Sequence, residues 1–111
     1  MKLVKYAEGA EYDAKGHTRC FSVNKLMGGK DTKRLTMALS HFLPGGGCEM
    51  SSAPAERVYI VLNGCLKVTG KGQEYLVGPN DLIYIPAGED RAFTVQGIEP
   101  ATIMVAVVNL D

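Results

Sequence analysis

Few side chains here combine the right type with a telling spacing. The chain has two histidines, His17 and His41, and three cysteines, Cys20, Cys48 and Cys65. No two cysteines have CxxC spacing, and the odd count is not a disulfide framework. The thiols therefore read as small apolar residues in a reducing compartment, and the expected location is cytoplasmic. His41 lies in an alternating segment. Leu35, Met37, Leu39, His41 and Leu43 share one parity, and Thr36, Ala38, Ser40 and Phe42 share the other. A side-chain period of two puts His41 on the face with the leucines, which is expected to be the interior. An imidazole there is either a hydrogen-bonded core residue or a proton carrier, because it titrates near neutrality. Arg57 and Tyr59 are two residues apart and share a strand face. His17, His41, Cys48, Glu49 and Glu56 are metal-donor types, but their spacing follows no metal motif. Pro44-Gly45-Gly46-Gly47 is not a phosphate loop, since no lysine and no helix pattern follows it.

The elements that must position these residues are short. Runs rich in Val, Ile, Leu, Thr and Tyr cover 35–43, 57–62, 65–69, 73–77, 81–85, 91–95 and 101–108. Turn signals separate them: Gly28-Gly29, Pro44 to Gly47, Asn63-Gly64, Gly70-Lys71-Gly72, Gly78-Pro79-Asn80 and Pro86-Ala87-Gly88. Such spacing points to an all-β sandwich or barrel, and no segment carries a helical apolar period. Asn63-Gly64 predicts a tight hairpin between 57–62 and 65–69. The runs 57–62 and 101–108 are apolar on both parities, so both of their faces should be covered. A second subunit is the natural cover in so small a barrel, and a homodimer is expected. Residues 1–34 are more polar and read as an N-terminal strand or arm of the same domain, with 35–111 as the barrel.

From about residue 35 to 108 the chain resembles the cupin family, whose jelly-roll barrel is marked by two motifs. Gly45 can open the first and Gly64 close it, through PGGGCEMSSAPAERVYIVLNG. In the second, Asn80 replaces the opening Gly, and Asp81 to Gly88 supplies the Pro-x-Gly turn. The family holds a divalent metal with two His and a Glu from the first motif and a His from the second. Here the two first-motif His positions fall on Ser51 and Ala53, or on Met50 and Ser52 with a longer gap. The Glu position is Arg57 and the second-motif His position is Arg91. Arginine offers donors only and stays protonated, so the resemblance brings the barrel without the usual metal ligands. No metal and no other cofactor is expected.

If Arg57 and Arg91 point where the family's ligands point, two guanidiniums enter a low-dielectric cavity. They then need protein carboxylates or a bound anion. Arg57, Arg91, Tyr59 and Ser51 form the expected ligand-binding set for a carboxylate or phosphate, with His41 as catalytic proton carrier. Three functions follow. One is a metal-independent isomerase, cyclase or decarboxylase acting on a small anionic metabolite. Another is a binding or sensing module without chemistry. The third is a metal enzyme with a displaced His/Cys/Glu site. Twelve basic and twelve acidic residues cancel, which leaves no electrostatic footprint for nucleic acid. No apolar stretch approaches the roughly 20 residues that span a bilayer, so no membrane partner is expected.

Overall fold

The structure is a computed structural model that describes residues 1–109. It is all-β, and among those residues there is no helix, hence none that could cross a membrane. Nine strands follow in chain order: β1 (Ala10–Tyr12), β2 (His17–Leu26), β3 (Leu35–Ser51), β4 (Glu56–Asn63), β5 (Leu66–Gly70), β6 (Gln73–Val77), β7 (Leu82–Ile85), β8 (Arg91–Val95) and β9 (Ala101–Val108). Every pairing is antiparallel, and the sheet runs β6-β5-β8-β3-β9-β4-β7, with β2 along the other edge of β3 and β1 beyond it. The sheet curls into a nearly closed jelly roll whose edge strands are β6, β7 and, on the N-terminal branch, β1. Residues 1–34 supply β1 and β2. The last two residues of the expected barrel segment, 110–111, lie outside the described residues.

β3 makes the barrel turn its corner. Leu35–Phe42 pairs with β9, whereas Gly47–Ser51 pairs with β8. The strand therefore passes from one half of the barrel to the other without a break. The Pro44–Gly47 segment, expected as a turn, is instead the bend inside this strand. Glycine is what permits it. A Cβ on Gly47 would sit 2.0 Å from the Phe93 carbonyl oxygen of β8, and one on Gly46 would sit 2.7 Å from that of Thr18. The Asn63-Gly64 hairpin is also corrected. β4 pairs with β9 and β7, so it has no free edge for β5, which pairs with β6 and β8. A type I′ turn needs positive φ at both central residues, and only Gly64 of this pair has it, at 78°. The tight hairpin falls between β5 and β6, where Lys71 (51°) and Gly72 (72°) both have it.

The core between the two halves holds Phe42, Tyr59, Val61, Leu66, Val68, Val77, Ile85, Phe93, Val95, Ala101 and Ile103. Phe93 is its aromatic centre, meeting Phe42 and Tyr59 edge-on at 5.2 and 5.4 Å between ring centroids. This geometry lets the positive ring edge face the negative ring face.

Candidate functional site

Residues facing inward beyond this core leave a cavity of about 510 Å³. Its walls come from β3 (Thr36, Ala38, Ser40, Phe42), β9 (Ile103, Val105, Val107) and β4 (Arg57). The mouth is formed by Ser51–Ala53, Glu49, Lys15 and His17. Strand register explains the set, because directly opposed residues share a face. Arg91 of β8 opposes Ser51, Phe93 opposes Cys48, and Cys48 in turn opposes His17 of β2. A register shift between Cys48 and Ser51 restores Ser51 to the inner face.

Arg91 is 5% exposed and is the most deeply placed charge of the described residues. Its Nε donates to the Tyr59 hydroxyl oxygen at 2.8 Å, and its Nη1 donates to the Ser51 carbonyl at 2.8 Å and to Ser51 Oγ. All three acceptors are neutral. Among the described residues no carboxylate lies within ion-pair distance of Arg91 or Arg57. Arg91 Nη2 has no partner there, and no fully buried side-chain polar atom lacks one, so this nitrogen opens onto accessible space. The cavity lining holds three cations, Lys15, Arg57 and Arg91, against one carboxylate, Glu49.

The expected set is thus partly assembled. Arg57, Arg91 and Ser51 line one cavity, and Tyr59 stands behind Arg91 and orients it. His41 is not among them. The inner face of β3 is the one with Thr36, Ala38, Ser40 and Phe42. Its opposite face carries His41 outward, where Nδ1 meets Thr102 Oγ1 at 3.0 Å and the ring packs edge-on against Tyr6. Alternation defines two faces without saying which is inside. The inner one here carries the small Thr36, Ala38 and Ser40 along the cavity and Phe42 in the core.

The imidazole in the cavity is that of His17, singled out in the sequence only as a metal-donor type. Burial pushes its pKa down, and the nearby guanidiniums of Arg91 and Arg57 push the same way, against a hydrogen bond to the Lys15 carbonyl. The residues do not fit the metal centre that the barrel family implies. Its four ligand positions hold Ser51 and Ala53, or Met50 and Ser52, together with Arg57 and Arg91. No group of three or more His, Cys, Asp or Glu able to hold an ion occurs among the described residues. The displaced donors do not converge either. His41 faces outward, Glu56 accepts from the Tyr84 hydroxyl at 3.0 Å, and Cys48 is buried in the core. The Cys20 thiol is pushed up by burial, which suppresses thiolate character.

A second cavity of about 570 Å³ opens at the seam between β6 and β7. Val68, Ile83 and Ile85 line it with Tyr75, Tyr84, Glu89 and Asp90, and Arg91 borders it as well as the barrel cavity. Glu89 is paired with Lys71 at 3.2 Å. The Glu56 contact holds the Tyr84 hydroxyl above its usual pKa.

Residues 38–107 match the model of the cupin domain. The chain is 32% identical to the β-D-galactosidase Rv1717 of Mycobacterium tuberculosis, over 98% of this chain and 95% of that protein. Among solved structures it resembles the polyketide cyclase RemF from Streptomyces resistomycificus. There the TM-score is 0.83 at 20% identity, covering 97% of this chain and 79% of that one. It also resembles a predicted oxalate decarboxylase from Thermotoga maritima, with a TM-score of 0.85 at 14% identity, covering 98% of this chain and all of the other. At such identities these two structures speak for the fold alone.

Proposed function

Starting from the fact that the chain belongs to the cupin family, we propose that its barrel binds a small anionic metabolite, a carboxylate or phosphate, through Arg91 and Arg57 rather than through a metal. One observation carries this reading: Arg91 is buried with neutral partners only. An uncompensated guanidinium in low dielectric is costly, and a bound anion offsets that cost. Tyr59 and Ser51 fix the plane of the Arg91 guanidinium by occupying Nε and Nη1, which leaves the Nη2 N–H donors preoriented for a ligand oxygen. Arg57 supplies a second fork, and Lys15 adds charge at the mouth. The apolar wall of Ala38, Ile103, Val105 and Val107 suits the carbon portion of the ligand. Such a site can hold a ligand as a sensor does, or polarise it for isomerisation, cyclisation or decarboxylation.

The relative described as a β-D-galactosidase favours a second reading, a β-galactoside. Glycoside hydrolysis ordinarily uses two carboxylates flanking the bond. The barrel cavity offers Glu49 alone, whereas the seam offers Glu89 and Asp90 beside two tyrosine rings. One set of measurements separates the readings. Calorimetric titration with phosphate and a series of small carboxylates should give binding that Arg91→Met weakens at least tenfold. Nitrophenyl β-D-galactoside should then be turned over neither by the native chain nor by Glu89→Gln. Galactoside turnover that depends on Glu89 or Asp90, without carboxylate binding, would replace the first reading by the second.

A further inference from the structure

The geometry points to His17 as the proton acceptor of the barrel cavity, acting on a carboxylate that carries a carbonyl group next to an acidic C–H bond. This inference rests on the anion-site reading above and adds a reaction to it.

The tautomer follows from one contact. His17 Nδ1 lies 2.8 Å from the Lys15 carbonyl oxygen, which can only accept. Nδ1 therefore carries the hydrogen, and the neutral ring keeps its lone pair on Nε2. Among the described residues Nε2 has no hydrogen-bond partner. The ring is braced by Phe42 and Phe93, at 6.1 and 5.8 Å between centroids, and it borders the cavity. The charged and titratable groups around it are Lys15 on its own loop, Tyr12 of β1, Glu49 and Cys48 of β3, Arg57 of β4 and Arg91 of β8. Burial first, then Arg91 and Arg57, keep the imidazole neutral and able to accept.

The lining charges select the substrate class. With His17 neutral, three cations face one carboxylate, an excess of two positive charges. A monocarboxylate cancels one. A second guanidinium then remains to face an oxygen that becomes negative as the reaction proceeds, which is what enolisation of an oxo acid supplies. In that step the C–H bond breaks and the proton passes to Nε2. The electron pair forms a C=C bond, and the carbonyl oxygen takes the negative charge beside a guanidinium. Return of the proton to the same carbon regenerates the ligand, and return elsewhere isomerises it. No oxidant or reductant is needed. The net charge of the site does not change during the transfer.

The test uses 2-oxobutyrate and 2-oxoglutarate in deuterated buffer, read by proton NMR. The native chain should wash out the C3 protons. His17→Gln should slow this by about 100-fold, the scale of a positioned general base, with affinity for the oxo acid kept within about threefold. His41→Gln should exchange as the native chain does. A second readout needs no variant: the His17 imidazole should titrate below its ordinary range in the free protein and rise when oxo acid binds. Equal exchange in the native and His17→Gln proteins overturns the assignment. So does a bound oxo acid that does not exchange, or a His17 titration unmoved by ligand. If no carboxylate binds at all, the anion site itself falls.

Discussion

Arg91 and Arg57 are both arginines in the cavity, but they are held differently. Arg91 is fixed by Tyr59 and Ser51, while Arg57 has no hydrogen bond or ion pair to the described residues. Replacing Arg57 with leucine removes a partly desolvated charge and leaves no protein group orphaned. We expect Arg57→Leu to weaken anion binding and to keep or raise the melting temperature, each 1 kcal/mol being worth about 4–8 °C in a domain of this size. A clear fall in melting temperature on a calorimetric scan would mean that Arg57 belongs to an internal ion pair. His17 gives a pH prediction. Its folded pKa lies below the unfolded value of 6.5, so the unfolded chain takes up protons first as the solution is acidified. The stability contributed by the neutral ring is therefore complete above pH 6.5 and is lost as pH falls through the lowered folded value. Urea midpoints measured from about pH 7.5 to about pH 5 should fall more steeply for the native chain than for His17→Gln. Parallel curves would show that His17 titrates normally.

At the scale of elements, β3 is the piece on which the site depends, since its bend brings Ser51 opposite Arg91 while its first half lines the cavity. Gly47→Ala would drive a methyl group into the Phe93 carbonyl of the neighbouring strand, where every close contact is backbone of Phe93 and Thr94 and no flexible side chain can move aside. We expect a loss of several kcal/mol, on the scale of about 4 kcal/mol seen for severe strain and overpacking, read as a shift of the denaturant midpoint; a near-neutral result would mean that β3 and β8 are spaced more widely there. The same strand shows what the sequence could and could not say. Turn residues and β-branched runs marked the later strands, and the Pro-Gly frame placed Arg57, Arg91 and Ser51 on one cavity. The bend at Pro44 to Gly47 was not legible, because glycines that permit a close approach look like glycines that permit a turn. Asn63-Gly64 misled for a related reason: whether two strands pair depends on which edges other strands have already taken. His41 lies outside the cavity because an apolar face can be an outer face when something else covers it.

For the whole molecule, that outer face is the remaining question. Across β2, β3, β9, β4 and β7 the register lines up Val23, Leu39, Met104, Ile60 and Leu82 in one apolar row, with Met37, Ala106, Val58 and Tyr84 in the next. The N-terminal segment covers part of it, through Tyr6 against His41, yet Leu82 remains 62% exposed. An apolar sheet face of this kind is a usual site of association, and the expected homodimer would use it. Light scattering should give about twice the 11.9 kDa chain mass for the native protein, and close to one chain mass for Met104→Asp. A native monomer would remove the dimer from the account. The proposal that a pair of arginines holds a small anion in the barrel is tested most directly by native mass spectrometry of the untagged protein beside elemental analysis. We predict a retained small anionic mass that Arg57→Leu and Arg91→Met both lose, with divalent metal well below one per chain. A stoichiometric divalent metal, with no anion retained, would contradict it.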